Sequence, residues 1–229
     1  MDASKPRSCS PAPQQLPLRP ANSADVCDAP SPAKPAAQRR PKPSEFVVEE
    51  SNSFGNYRAF GSAEGVKLHT AGFEYDRELW GSVLGARVDY VGEVLPVVLL
   101  SQWSKTDRWG DPIGPGRETV PGIGLSPLGF RMVWRDGSRV MPFWETKANV
   151  FGFTKKILAP NTTYENFGFT GTVGLQFKLS DRYDLRVGVG NQHISNANLA
   201  NNPGVDVMEE TVGLVVHLPR KSTPKAGRG

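Results

Sequence analysis

The sequence predicts an all-β chain: an eight-stranded antiparallel β-barrel of the outer-membrane type, with a disordered N-terminal tail. Three observations predict it. From Glu45 onward, apolar and polar residues alternate with period two, and no stretch carries a helical stripe. Several alternating runs exceed the ~5–6 residues usual for soluble sheets. The runs are divided by short turn sequences, so antiparallel neighbours follow one another along the chain. A soluble sandwich shares the alternation, with its polar face in water. Long strands with a polar face turned inward and an apolar face outward fit a small membrane barrel better.

Composition agrees with a turn-rich β chain. Of 229 residues, 38% are hydrophobic, while Gly (24) and Pro (20) are both abundant. Residues 1–44 are Pro, Ala and Ser with scattered charge, too polar to offset the entropy of ordering, and are expected to be disordered. A barrel domain is expected over 45–220 and a short basic tail over 221–229. The net charge of +4 is spread rather than blocked, so a basic arm for nucleic acid or anionic lipid is a weaker reading than a solvated tail. The two cysteines, Cys9 and Cys27, lie in the Pro-rich head, too few and too badly placed for a disulfide framework or a zinc site. No apolar run approaches the ~18 residues of a transmembrane helix, and the head lacks the apolar core of a signal peptide.

The eight strands are expected at about 46–60, 66–77, 83–102, 118–134, 138–153, 164–179, 182–195 and 206–219. In the third, Ala86, Val88, Tyr90, Val94, Val98 and Leu100 share one parity, and Arg87, Asp89 and Glu93 the other. In the sixth, Phe167, Phe169, Val173, Leu175, Phe177 and Leu179 oppose Asn166, Thr170, Thr172, Gln176 and Lys178. Arg135-Asp136-Gly137-Ser138, Ala159-Pro160-Asn161-Thr162 and Leu179-Ser180-Asp181-Arg182 read as turns. In a barrel of eight strands the interior is filled by side chains. Arg87, Asp89, Glu93, Thr172, Gln176, Lys178 and Arg186 would then form an internal polar network. His217 is expected to face that interior, and His69 to be structural without a nameable partner.

The chemistry concentrates near the C-terminus. His193 and Ser195 stand two apart on the seventh strand, on one face and roughly 6–7 Å apart along its axis. Serine needs such a base to be a nucleophile at neutral pH. Leu185, Val187 and Val189 share their parity, so the pair finishes an apolar, lipid-facing stripe along which an acyl chain would lie. The turn Asn201-Asn202-Pro203-Gly204-Val205 leads to Asp206 at the start of the last strand, beside His193 in an antiparallel pairing. Asp206 is the first candidate for an acid that holds the imidazole tautomer; Glu210 is the second, and Glu209 points the other way unless a bulge intervenes. Asn196, or backbone N–H groups after the serine, would receive an oxyanion. Plain turn chemistry explains Asn196-Ala197-Asn198 equally well.

His193-Ile194-Ser195-Asn196-Ala197-Asn198, then Asn202-Pro203-Gly204-Val205-Asp206 and a final strand, resembles the lipid A 3-O-deacylase family (PagL type, also called acyloxyacyl hydrolases). Gly124-Leu125-Ser126-Pro127-Leu128-Gly129-Phe130 and Pro142-Phe143-Trp144-Glu145 add to the resemblance, which covers about Glu45 to Leu218. It implies an outer-membrane serine esterase that removes the 3-O acyl chain of lipid A in lipopolysaccharide. His193 would be the general base, Ser195 the nucleophile and Asn196 an oxyanion contributor. The acid maps to Asp206, or, if the shorter loop is aligned differently, to Glu209 or Glu210. No ligand cluster in the sequence calls for a metal, and no cofactor is expected; divalent cations would bind the lipid phosphates. An outer-membrane protein needs an export signal, so the start of this chain is expected to be displaced or truncated. The rival readings are a non-catalytic small barrel, structural or lipid-binding, and a soluble β-sandwich binding module.

Overall fold

The computed structural model describes residues 44–218. The expectations for the two tails and for Cys9 and Cys27 lie outside the described residues. Eight strands form in chain order: β1 Ser44–Tyr57, β2 Lys67–Val83, β3 Ala86–Trp103, β4 Arg117–Trp134, β5 Val140–Phe153, β6 Glu165–Lys178, β7 Tyr183–Ser195 and β8 Val205–His217. Each pairs antiparallel with the next, and β1 closes on β8 with Glu45 opposite His217. Closure pairs every edge, the condition for a sheet to sit in lipid. Long loops L1 (58–66), L2 (104–116), L3 (154–164) and L4 (196–204) gather at one end. The short turns at 84–85, 135–139 and 179–182 gather at the other. In outer-membrane barrels the long loops are extracellular and the turns periplasmic.

The predicted alternation holds in the directions expected. Phe169, Val173, Val94, Leu125, Val212 and Leu214 project outward and are exposed, while the polar positions between them are buried. Two features differ. β2 continues past 77 to Val83 and reverses through Leu84 and Gly85, both at positive φ (52° and 76°). Such a two-residue turn matches the twist of its strands. In β3 the parity slips. Val94 faces outward, but Val98 and Leu100 are fully buried, because the β3–β4 register shifts between Leu95 and Val98. Pro96 sits in that shift, where it has no N–H to give to the ladder. Placing Val98 and Leu100 on the face of Val94 is therefore corrected.

The barrel interior has two zones. Toward the turns it is charged: Arg131 reaches Glu45 and Asp89 at 2.7 and 2.9 Å, Arg87 bonds the same two carboxylates, and Arg186 bonds Glu74 and Asp76. Thr172 and Gln176 are buried with them. Lys178, expected in this network, instead pairs with Asp181 at 2.9 Å at the mouth, half-exposed, because β6 ends there. His217 faces inward as expected, with Nε2 2.9 Å from Asp184 Oδ2. His69 has a partner after all: its Nδ1 lies 2.8 Å from Asn52 Oδ1. Glu49, Glu74 and Glu93 converge as a metal site would, but Lys147 Nζ sits among them at 3.3, 3.1 and 2.9 Å, so an ammonium holds the cation's position.

Toward the loops the interior turns apolar. Leu68, Leu95, Val98, Leu100, Phe151, Phe153, Ile194 and Val207 pack with Ala63 and Val66 of L1 and Ile157 and Leu158 of L3. This plug was not expected from a polar-inside pattern. The wall also needs glycine at close passes such as Gly174, where a Cβ would lie 2.2 Å from Val187 O and 2.6 Å from the Phe143 ring. Gly174→Val is expected to destabilise the barrel by about 1–3 kcal/mol or more, by overpacking. Gly152→Val, on a position with nothing within 4 Å, should shift little. Urea midpoints in detergent micelles compare the two.

Candidate active site

β7 carries its odd residues outward, from Leu185 through Val189 to Asn191, His193 and Ser195, and so delivers the last two to the outer face at the loop end. Across the sheet His193 lies opposite Phe169 on β6 and Asp206 on β8, and Ser195 lies opposite Phe167. The apolar stripe therefore ends in a histidine and a serine at the loop end of the barrel.

His193 Nδ1 is 2.7 Å from Asp206 Oδ1. A carboxylate acceptor there assigns the ring proton to Nδ1 and leaves Nε2 with its lone pair. Nε2 makes no hydrogen bond among the described residues, and neither does the Ser195 hydroxyl. Asp206 stands at an outward position yet is 0% exposed. The reason is L1, which folds over it: the N–H groups of Ala59, Phe60 and Gly61 donate to Oδ2 at 2.9, 2.8 and 2.8 Å. The Phe60 ring stands edge-on to the imidazole, centroids 5.8 Å apart.

The other candidate acids go elsewhere. Glu209 is buried inside the barrel, where its Oε2 accepts from Ser51 Oγ at 2.9 Å. Glu210 is exposed on the outer face opposite Val189, four residues along β8 from Asp206 and its partner His193. Of the three carboxylates, the fold brings Asp206 to the histidine.

Asn196 is buried, and its donors serve the loop: its N–H bonds Asn202 Oδ1 and its amide bonds Asn201 O, each at 2.9 Å. Ala197 and Asn198 follow in the left-handed region, at φ 53° and 62°. Their N–H groups donate to no described acceptor. Gly204, also at positive φ, packs against the imidazole; a Cβ there would lie 3.3 Å from His193 Cε1. The loops brace one another, with Ser62 N–H donating to Pro203 O at 2.7 Å and Asn201 Nδ2 to Arg108 O at 2.9 Å.

Ala59, Phe60, Gly61 and Gly204 were missed as site residues by sequence reasoning. The first three act through main-chain N–H groups, which leave no side-chain signature, and Gly204 read as an ordinary turn glycine.

The family model for lipid A 3-O-deacylase (PagL) matches residues 71–215. No curated protein sequence matches the chain. Among solved structures, the outer membrane enzyme PagL superposes with a TM-score of 0.55 at 17% identity, over 73% of this chain and 97% of its own. The outer membrane protein OprG from Pseudomonas aeruginosa gives 0.48 at 10% identity, over 78% and 97%. Neisserial surface protein A (NspA) gives 0.41 at 12% identity, over 76% and 96%. The last two likenesses are too loose to bear on the site. The span matched by the family model runs from within β2 into β8 and takes in His193, Ser195 and Asp206; the chain, a bacterial outer-membrane barrel, belongs to the lipid A 3-O-deacylase (PagL) family.

Proposed function

We propose that the chain is a serine esterase that removes the ester-linked acyl chain at position 3 of lipid A. The observation that carries the reading is the 2.7 Å His193–Asp206 contact, which leaves Nε2 free beside an outward-facing serine at the lipid boundary. Ser195 Oγ attacks the acyl carbonyl while His193 Nε2 takes its proton. The tetrahedral intermediate collapses, the sugar 3-oxygen leaves, and the imidazolium returns the proton to it. Water then attacks the acyl-serine with the same base, releasing the fatty acid and restoring the hydroxyl. Asp206 keeps its hydrogen bond from Nδ1–H throughout, holding the neutral ring in that tautomer and stabilising the imidazolium. The free N–H groups of Ala197 and Asn198, together with the remaining Asn196 amide hydrogen, are the donors nearest in sequence to the serine for the oxyanion. The Ser195–His193 contact closes on substrate binding, as catalytic hydrogen bonds commonly do. Nucleophile activation by this route calls for no cofactor.

The partner is lipid on the outer face. Phe167 and Phe169 beside the site, both exposed, give an acyl chain apolar surface to lie against. The test is to refold the chain in detergent, add hexa-acylated lipid A and follow the product by mass spectrometry. Loss of the single 3-linked chain supports the reading. Lipid A recovered intact would sink it and favour the non-catalytic barrel.

A further inference from the structure

Asp206 presents a problem that its own strand cannot solve. It stands at the first outward turn of β8, opposite Tyr57, the last residue of β1, where a carboxylate would ordinarily be wet and free to rotate. A rotating acid would hold the imidazole loosely. Yet its two oxygens have separate duties. Oδ1 faces His193, and Oδ2 takes three consecutive main-chain N–H groups, all within 2.9 Å. Successive N–H groups converging on one anion form a nest, and three donors on a single oxygen fix the plane of the carboxylate.

The nest exists because L1 comes down onto L4 at one point. A Cβ on Gly61 would lie 2.6 Å from Gly204 C, 2.6 Å from Val205 N and 2.7 Å from Val205 Cα. These are backbone atoms of the residues that immediately precede Asp206, and they cannot yield as a side chain would. Just beyond, Ser62 N–H and Ala63 N–H donate to Pro203 O and Gly204 O at 2.7 and 3.1 Å, and the Ser62 hydroxyl shares its proton between Pro203 O at 2.9 Å and Trp109 O at 2.7 Å. L1 is thus sewn to the approach of β8 over three residues, with Gly61 at the closest pass.

We propose that Gly61 is a positioning residue for the catalytic acid: its missing side chain lets the Ala59–Gly61 backbone clamp Asp206 Oδ2, which orients Oδ1 on His193. The clamp rests on the deacylase reading for its substrate but not for its geometry. Any added side chain at Gly61 lifts L1 from L4, withdraws the N–H groups and frees the carboxylate, while the acyl-binding outer face is untouched.

The experiment compares Gly61→Ala, Asp206→Ala and the double variant in the full chain, in micelles, with lipid A. Two readouts are taken: deacylation kinetics, and the rate at which a fluorophosphonate probe labels Ser195. Gly61→Ala is expected to lower kcat by about 10²-fold, the cost of a displacement of order 1 Å in the catalytic geometry, with KM little changed. In the Asp206→Ala background the same substitution should add nothing, because it acts through Asp206. Gly55→Ala, where a Cβ meets nothing within 4 Å, should match wild type. If Gly61→Ala does not fold, Ser62→Ala removes part of the stitching without adding bulk and should give a smaller loss, again absent in the Asp206→Ala background. Wild-type kcat in Gly61→Ala, a change in KM alone, or losses that multiply in the double variant would overturn the clamp. If wild type leaves lipid A intact but takes the probe, and Gly61→Ala slows labelling, the substrate assignment fails and the clamp stands. A wild-type chain that does neither overturns both.

Discussion

Ser195→Ala is expected to lower turnover of lipid A by about 10⁶-fold, the loss typical when a triad nucleophile is removed. The barrel should stay intact, since the hydroxyl makes no hydrogen bond among the described residues and lies on the outer face. His193→Ala should cost nearly as much, and the double variant hardly more than either, because base and nucleophile act as one unit. Residual catalysis would report what the oxyanion donors and lipid binding supply alone. Long incubations with lipid A, read by mass spectrometry for the 3-linked chain, measure all three. Additive losses, or a Ser195→Ala variant at wild-type rate, would remove Ser195 from the mechanism.

The wall of the barrel was legible because alternation is a direct print of which side meets lipid. Each expected strand falls close to an observed one, and the parity of Val187, Val189, His193 and Ser195 came through unchanged. What alternation does not encode is a change of register. Pro96 marked the slip in β3, but a proline in a strand pattern says that the ladder is interrupted without saying by how many residues. Val98 and Leu100 consequently moved inside, and with them the apolar plug beneath the loops became visible only in three dimensions.

Within the site, legibility divided along the same line. The polar side chains of the candidate site were readable: His193, Ser195 and, by its place after a short turn, Asp206 opposite the histidine. Parity alone did not separate Asp206 from Glu210, because both are even positions on β8. The structure separates them by the L1 backbone, which covers one and leaves the other exposed. Main-chain donors carry no letter in the sequence, and a single glycine at 61 among 24 does not announce a close pass between loops.

Arg131→Met is expected to destabilise the folded barrel by about 3–5 kcal/mol, the cost of breaking a buried ion pair from one side. Arg131 is 0% exposed. Nη2 bonds Glu45 and Asp89, and Nη1 lies 2.8 Å from Asp76 Oδ2, an ion pair whose angle is not that of a hydrogen bond. Buried carboxylates outnumber buried cations around it: Glu45, Glu74, Asp76, Asp89 and Glu145 share Arg87, Arg131 and Arg186, and Glu74 and Glu145 belong also to the four-carboxylate cage of Lys147. Removing one guanidinium therefore leaves three carboxylates short of a partner in a space that admits little water. Methionine restores volume but not charge. Arg139→Met, in an exposed turn, should change stability by no more than about 0.5 kcal/mol. Urea unfolding in micelles, followed by tryptophan fluorescence, compares the two. Equal midpoints would mean that water or protons reach the interior freely enough to replace Arg131, and that the charged zone is filling rather than framework.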